Sequence, residues 1–192
     1  MDKRMLGDTK LPVKGHLVSL KYASRTKEDD CVDIGQQSLA KHCFELPPEC
    51  EDRCIDFDEV QRELAKRNKI RLPCSVDALI LEKGIFYAVE FKTGRADELN
   101  VYRKIYDTVF SIVENDDKPI RFARERIVYV LVLSTLSQRI KRWGRHKLGM
   151  QKPWEHLGLE AHWEKLKLLG GMLVWAVEIM PPEFFKRYLK SI

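Results

Sequence analysis

From Asp56 onward, the apolar positions of the chain fall into recognisable periods. Asp56 or Asp58 is placed to cap a helix running to about Asn68, with Phe57, Val60 and Leu64 on one face. After Pro73 come two β-rich runs, Ser75–Leu81 and Ile85–Lys92, separated by Lys83-Gly84. Two turn-forming residues between alternating runs predict a β-hairpin. Gly94 breaks the second run, and a helix is predicted from about Ala96 to Val113. Leu99, Tyr102, Tyr106, Val109 and Val113 recur at helical spacing there, and Asp97-Glu98 suit its N-terminal dipole. Asp116-Asp117 and Pro119 close it. Ile127–Ser134 is a nearly continuous apolar run, the pattern of a strand covered on both faces.

The flanks are less regular. A short strand is predicted at His16–Tyr22, and an acidic stretch interrupted by Pro47-Pro48 follows it. The tail predicts a Trp-rich helix over about Pro153–Leu169, a stop at Gly170-Gly171, a strand at Met172–Met180 and a short helix after Pro181-Pro182. Helices interleaved with strands mean an α/β fold with a mixed central sheet. With no internal repeat and no low-complexity linker, 1–192 reads as a single domain with its core at about 56–134. An N-terminal Cys-containing segment (1–55) and a C-terminal extension (135–192) flank that core.

Composition narrows the class. Of 192 residues, 33% are charged and 44% hydrophobic, which fits neither extended disorder nor a membrane span. The longest apolar runs, Ile127–Leu133 and Met172–Val177, fall far short of the roughly 18 residues a transmembrane helix needs. The first ten residues lack the apolar stretch of a signal peptide, and five cysteines do not suit a disulfide framework. The expectation is a soluble cytoplasmic chain. Its net charge of +5 hides an asymmetry: twelve acids against three bases over residues 28–63, and ten bases against one acid over 118–152. Such polarity points to one face that meets phosphate.

The hairpin brings chemistry together. Residues two apart in a strand share a face, so Glu90 and Lys92 point the same way. With Lys83-Gly84 as the two loop residues, Asp77 lies opposite Glu90 on that same face, with Cβ atoms about 5 Å apart. Two facing carboxylates repel and require compensation. A divalent cation is one solution: Mg²⁺ takes hard oxygen ligands and typically binds one or two carboxylates while keeping waters. The other is a structural ion triad in which Lys92 itself neutralises the pair.

Asp77 on one strand, Val89-Glu90-Phe91-Lys92 on the next, a leading helix, a following helix and a buried strand resemble the PD-(D/E)XK nuclease superfamily. The resemblance covers about Asp56–Ser134. Glu90-Phe91-Lys92-Thr93-Gly94, followed by Lys104-Ile105-Tyr106-Asp107, is also similar to uncharacterised bacterial members of that superfamily. The resemblance implies a restriction-endonuclease-like core and Mg²⁺- or Mn²⁺-dependent hydrolysis of phosphodiesters. It implies Asp77, Glu90 and the Phe91 carbonyl as metal ligands and Lys92 as the residue that orients or activates water. It further implies an acid on the leading helix, for which Glu59 and Glu63 are the candidates. The acid-x-Lys pattern also occurs at Asp8-Thr9-Lys10 and Asp116-Asp117-Lys118, but only Glu90-Phe91-Lys92 lies on a strand facing an upstream Asp.

Two other signals carry expectations. Cys31, Cys43, Cys50, Cys54 and Cys74, with His42, hold enough ligands for structural Zn²⁺, but no C-x-x-C pair, so the match is poor. Arg139, Lys141, Arg142, Trp143, Arg145, Lys147 and Lys152 form an acid-free basic segment, suited to neutralise phosphates and to stack an indole on a base. Its bland counterpart is a solvated helix whose Trp143 belongs to the core. The resulting expectation is a DNA-cleaving enzyme, with RNA as a second substrate class and no membrane partner. The competing class is a catalytically inactive nuclease-like fold that binds nucleic acid or protein.

Overall fold

The computed structural model describes residues 11, 17–19, 53–92, 97–134, 136 and 161–192. Within them, six strands form one sheet in sequential order: β1 (Leu17–Ser19), β2 (Arg53–Asp56), β3 (Ala78–Glu82), β4 (Ile85–Lys92), β5 (Ile127–Leu133) and β6 (Ala176–Met180). β1 to β4 pair antiparallel, whereas β4, β5 and β6 run parallel. The fold is mixed α/β, with helices on both faces of a mixed sheet.

The β3–β4 hairpin follows the predicted register: Glu82 pairs with Ile85 and Ala78 with Val89. Lys83 (φ 50°) and Gly84 (φ 76°) both adopt left-handed backbone, the requirement of a tight two-residue turn that matches strand twist. β3 starts at Ala78 rather than Ser75, so Asp77 lies just before the strand. β5 has all seven residues buried, because it sits between β4 and β6 with helices above and below.

Helix α1 (Phe57–Asn68) is capped by Asp56, whose side chain accepts from the Glu59 N–H at 3.1 Å, and Phe57, Val60, Gln61, Leu64 and Ala65 are buried along it. Helix α2 (Glu98–Asn115) starts at the Asp97 cap, close to the predicted span, but turns a different face inward. Val101, Ile105, Val109 and Ile112 are buried, together with Lys104, Thr108 and Ser111. Leu99 and Tyr106, expected inside, are exposed at 69% and 41%. Polar anchoring decides the rotation: the Asp107 carboxylate accepts from the Cys74 N–H at 2.8 Å, and the Thr108 hydroxyl accepts from the Val76 N–H at 3.3 Å. α2 is thereby fixed to the segment approaching Asp77. Gln61 and Leu64 of α1 and Asp107 and Ser111 of α2 line one cleft of about 470 Å³.

Two elements were not expected from the sequence: β2, and a seven-residue helix α3 (Ile120–Arg126) ahead of β5. The tail contains α4 (Ala161–Lys167), with 153–160 outside the described residues, and α5 (Pro182–Ser191). Residues 171–173 form a turn, so β6 is shorter than the predicted Met172–Met180 strand. α5 covers one face of the sheet: Phe185 meets Phe91 edge-on at 5.6 Å between ring centroids, and Tyr188 meets Tyr87 at 6.2 Å. Full burial of a side chain like Phe185 contributes about 1.5–3 kcal/mol. On the opposite face, Phe122 of α3 packs on Phe86 at 5.8 Å, and Lys104 of α2 reaches Glu90.

Candidate active site

Strand alternation sends Phe86, Ala88, Glu90 and Lys92 to the α2 face, while Phe91 packs beneath α5. Glu90 is completely buried. Its Oε1 lies 2.7 Å from Lys92 Nζ and 2.9 Å from Lys104 Nζ, as ionic contacts off the hydrogen-bond directions. Its Oε2 accepts a hydrogen bond from Lys104 at 3.0 Å. Asp77, with a side chain 19% exposed, places Oδ1 3.4 Å from Lys104 Nζ. Asp77 Oδ2 accepts from the Phe91 N–H at 2.7 Å, so the carboxylate extends the hairpin ladder past the end of β3. The N–H and C=O of a strand residue point toward the same neighbour, so the Phe91 carbonyl is directed to the Asp77 side.

Asp77, Glu90 and Lys92 therefore meet as the register predicted, but the group that bridges the two acids is Lys104, not Lys92. The sequence offers Lys104 only within the Lys104-Ile105-Tyr106-Asp107 run and with no site role, because a face through Leu99 and Tyr106 points it away from the sheet. The available signal was its place on the Val101–Ile105–Thr108–Ile112 stripe, where a lysine requires a buried anion.

The acid that α1 brings nearest is likewise different. Glu59 pairs with Arg62 on an exposed surface, and Glu63 is exposed. Asp58 instead accepts from the Ser75 hydroxyl, two residues before Asp77, and its charge is felt by both Asp77 and Lys104.

The electrostatics follow from burial and proximity. Burial and then the Glu90 charge push the Asp77 carboxyl well above its ordinary range, opposed by Lys104 and the Phe91 N–H. For Lys104, burial works against the charged form, but Glu90 and Asp77 outweigh it and hold the ammonium firmly protonated. Tyr129 of β5 is fully buried, and its hydroxyl has no hydrogen-bond partner among the described residues. Burial, then Glu90 and Asp77, raise its phenol well above the ordinary value, so it remains a proton donor beside the acids.

For a divalent cation the donor set fits in kind. Asp77 and Glu90 both contact one cationic nitrogen, so their oxygens can converge on a single positive centre. Mg²⁺ needs no more than two carboxylates when water and phosphate complete its shell. Among the described residues, no group of three or more His, Cys, Asp or Glu side chains is arranged to hold a metal. Cys54 is buried and Cys74 half-buried, both as free thiols. Cys31, Cys43, Cys50 and His42 lie outside the described residues, as do Arg139, Lys141, Arg142, Trp143, Arg145 and Lys147. Among the described residues, no helix is long and apolar enough to cross a membrane.

No family model, curated protein or solved structure matches this chain.

Proposed function

We propose that the protein is a divalent-metal-dependent nuclease that hydrolyses phosphodiester bonds in DNA, with a restriction-endonuclease-like core. The observation that carries this reading is the meeting of Asp77, Glu90 and Lys92 on one face of the β3–β4 hairpin. Asp77 and Glu90, with the Phe91 carbonyl, would hold Mg²⁺ or Mn²⁺. The bound cation would polarise the phosphate and favour hydroxide over water. Lys92, partly exposed at 23%, reaches solvent from its contact with Glu90, so it can orient the attacking water and offset charge on the phosphate. Asp77 is fixed by the Phe91 N–H, and Glu90 by the two lysines, so both acids are pre-positioned. Water forms the new bond to phosphorus, one ester bond to phosphorus breaks, and the departing oxygen takes a proton.

A second reading has its own support. Lys104 bridges the two acids with its own charge, as expected of a catalytically inactive fold that keeps the network as structure and serves as a binding module. Calorimetric titration with Mn²⁺ separates the two. The nuclease reading expects binding by the wild type and its loss in Asp77→Asn, whose amide oxygen still accepts from the Phe91 N–H. No binding by the wild type would favour the binding module.

A further inference from the structure

We infer that Lys104 is an exchangeable counter-ion, its ammonium occupying the place between Asp77 and Glu90 that a divalent cation takes and leaving as that cation enters. The inference rests on the metal-dependent reading above and assigns α2 a part in it. Lys104 Nζ lies 2.9 Å and 3.0 Å from the two Glu90 oxygens and 3.4 Å from Asp77 Oδ1. Its side chain is only 10% exposed. Divalent cations seek the same oxygens at about 2.0–2.1 Å, and two cations cannot share so small a space without strong repulsion. Lys92 differs: it contacts Glu90 at Oε1 rather than bridging the two acids, and its side chain is 23% exposed.

The ammonium sits on a flexible four-carbon stem, so its departure needs side-chain rotation rather than movement of α2. That helix stays anchored through Asp107 and Thr108. Charge counting gives the consequence. With both acids ionised, Lys92 and Lys104 balance Asp77 and Glu90, so the hairpin and α2 assemble without metal and a lone cation meets two resident ammonium groups. Removing the Lys104 charge leaves the two acids facing Lys92 alone. The metal-free protein should then lose stability, and metal should restore it.

Two readouts test the exchange without relying on activity. In the wild type, amine-directed methylation mapped by mass spectrometry should modify Lys104 several-fold faster with saturating Mn²⁺ than with chelator. In calorimetry, Lys104→Met should bind Mn²⁺ about tenfold more tightly or better than wild type. Its melting temperature should be lower in chelator and recover with Mn²⁺. Lys104→Gln serves the same purpose if the Met variant does not fold. Bound Mn²⁺ with unchanged Lys104 labelling and unchanged affinity would overturn the exchange while leaving the metal reading intact. No Mn²⁺ binding by wild type or either variant would overturn both.

Discussion

Glu90 is the residue around which the site is organised: wholly buried, and held by ammonium groups from its own strand and from α2. A buried anion is tolerated only with such partners. Asp77 is less well compensated. Burial and Glu90 move its carboxyl from the usual value of about 3.9 to about 8. The folded protein then holds a proton that the unfolded chain releases, so this group makes metal-free stability fall as pH rises from about 4 to about 8. Urea denaturation across that range should show the decline, and Asp77→Asn should flatten it. Saturating Mg²⁺ should flatten it too, because a bound cation keeps the carboxylate ionised in the folded state. Asp77, Glu90 and Lys92 were legible in the sequence because a two-residue turn and a period of two fix which side chains meet. Lys104 and Asp58 were not. Their places depend on how α2 and α1 rotate against the sheet, which long-range hydrogen bonds to residues 74–76 decide.

Helix α2 shows what periodicity can and cannot resolve. Its existence and length were evident from the recurring apolar residues, but two stripes compete around it. Leu99, Tyr106 and Phe110 face outward, whereas Val101, Ile105, Val109 and Ile112 face the sheet. Ile105→Ala should therefore cost about 2–5 kcal/mol of stability, while Leu99→Ser should stay within about 0.5 kcal/mol. Denaturant midpoints of the two variants check the assignment, and a reversed order would restore the face drawn from the sequence. β2 and α3 escaped notice for another reason. Arg53-Cys54-Ile55-Asp56 is too short to display alternation and is defined by its pairing with β1 and β3. Ile120–Arg126 is short, lacks a side-chain cap and carries mostly polar residues. By contrast, β5 announced itself, since a strand covered on both faces must be apolar at every position.

Across the chain, charge is divided between an acidic stretch over 28–63 and a basic one over 118–152. Leu133 at the end of β5 pairs with Lys92 at the end of β4, so the chain leading to the basic segment departs beside the site. If Arg139–Lys152 lines the nucleic-acid path, reversing Arg142 and Arg145 to Glu should weaken DNA binding to a similar extent for all sequences, because phosphates carry no direct base information. Neutral replacements there should make the salt dependence shallower by up to about 0.9 log units per lost phosphate contact. Fluorescence anisotropy at several salt concentrations reads both effects. Unchanged affinity and slope would assign the segment to a solvated surface.

A hydrolytic centre and a structural ion network built from Asp77, Glu90 and Lys92 differ in one observable: cleavage of plasmid, linear and single-stranded DNA, and of RNA, by the pure protein in Mg²⁺ or Mn²⁺. Lys92→Ala serves as the paired control. A hydrolytic centre should give metal-dependent cleavage that disappears with chelator and falls by about a hundredfold or more in Lys92→Ala. Intact nucleic acid under every condition, or cleavage that the Lys92→Ala protein retains in full, would contradict it.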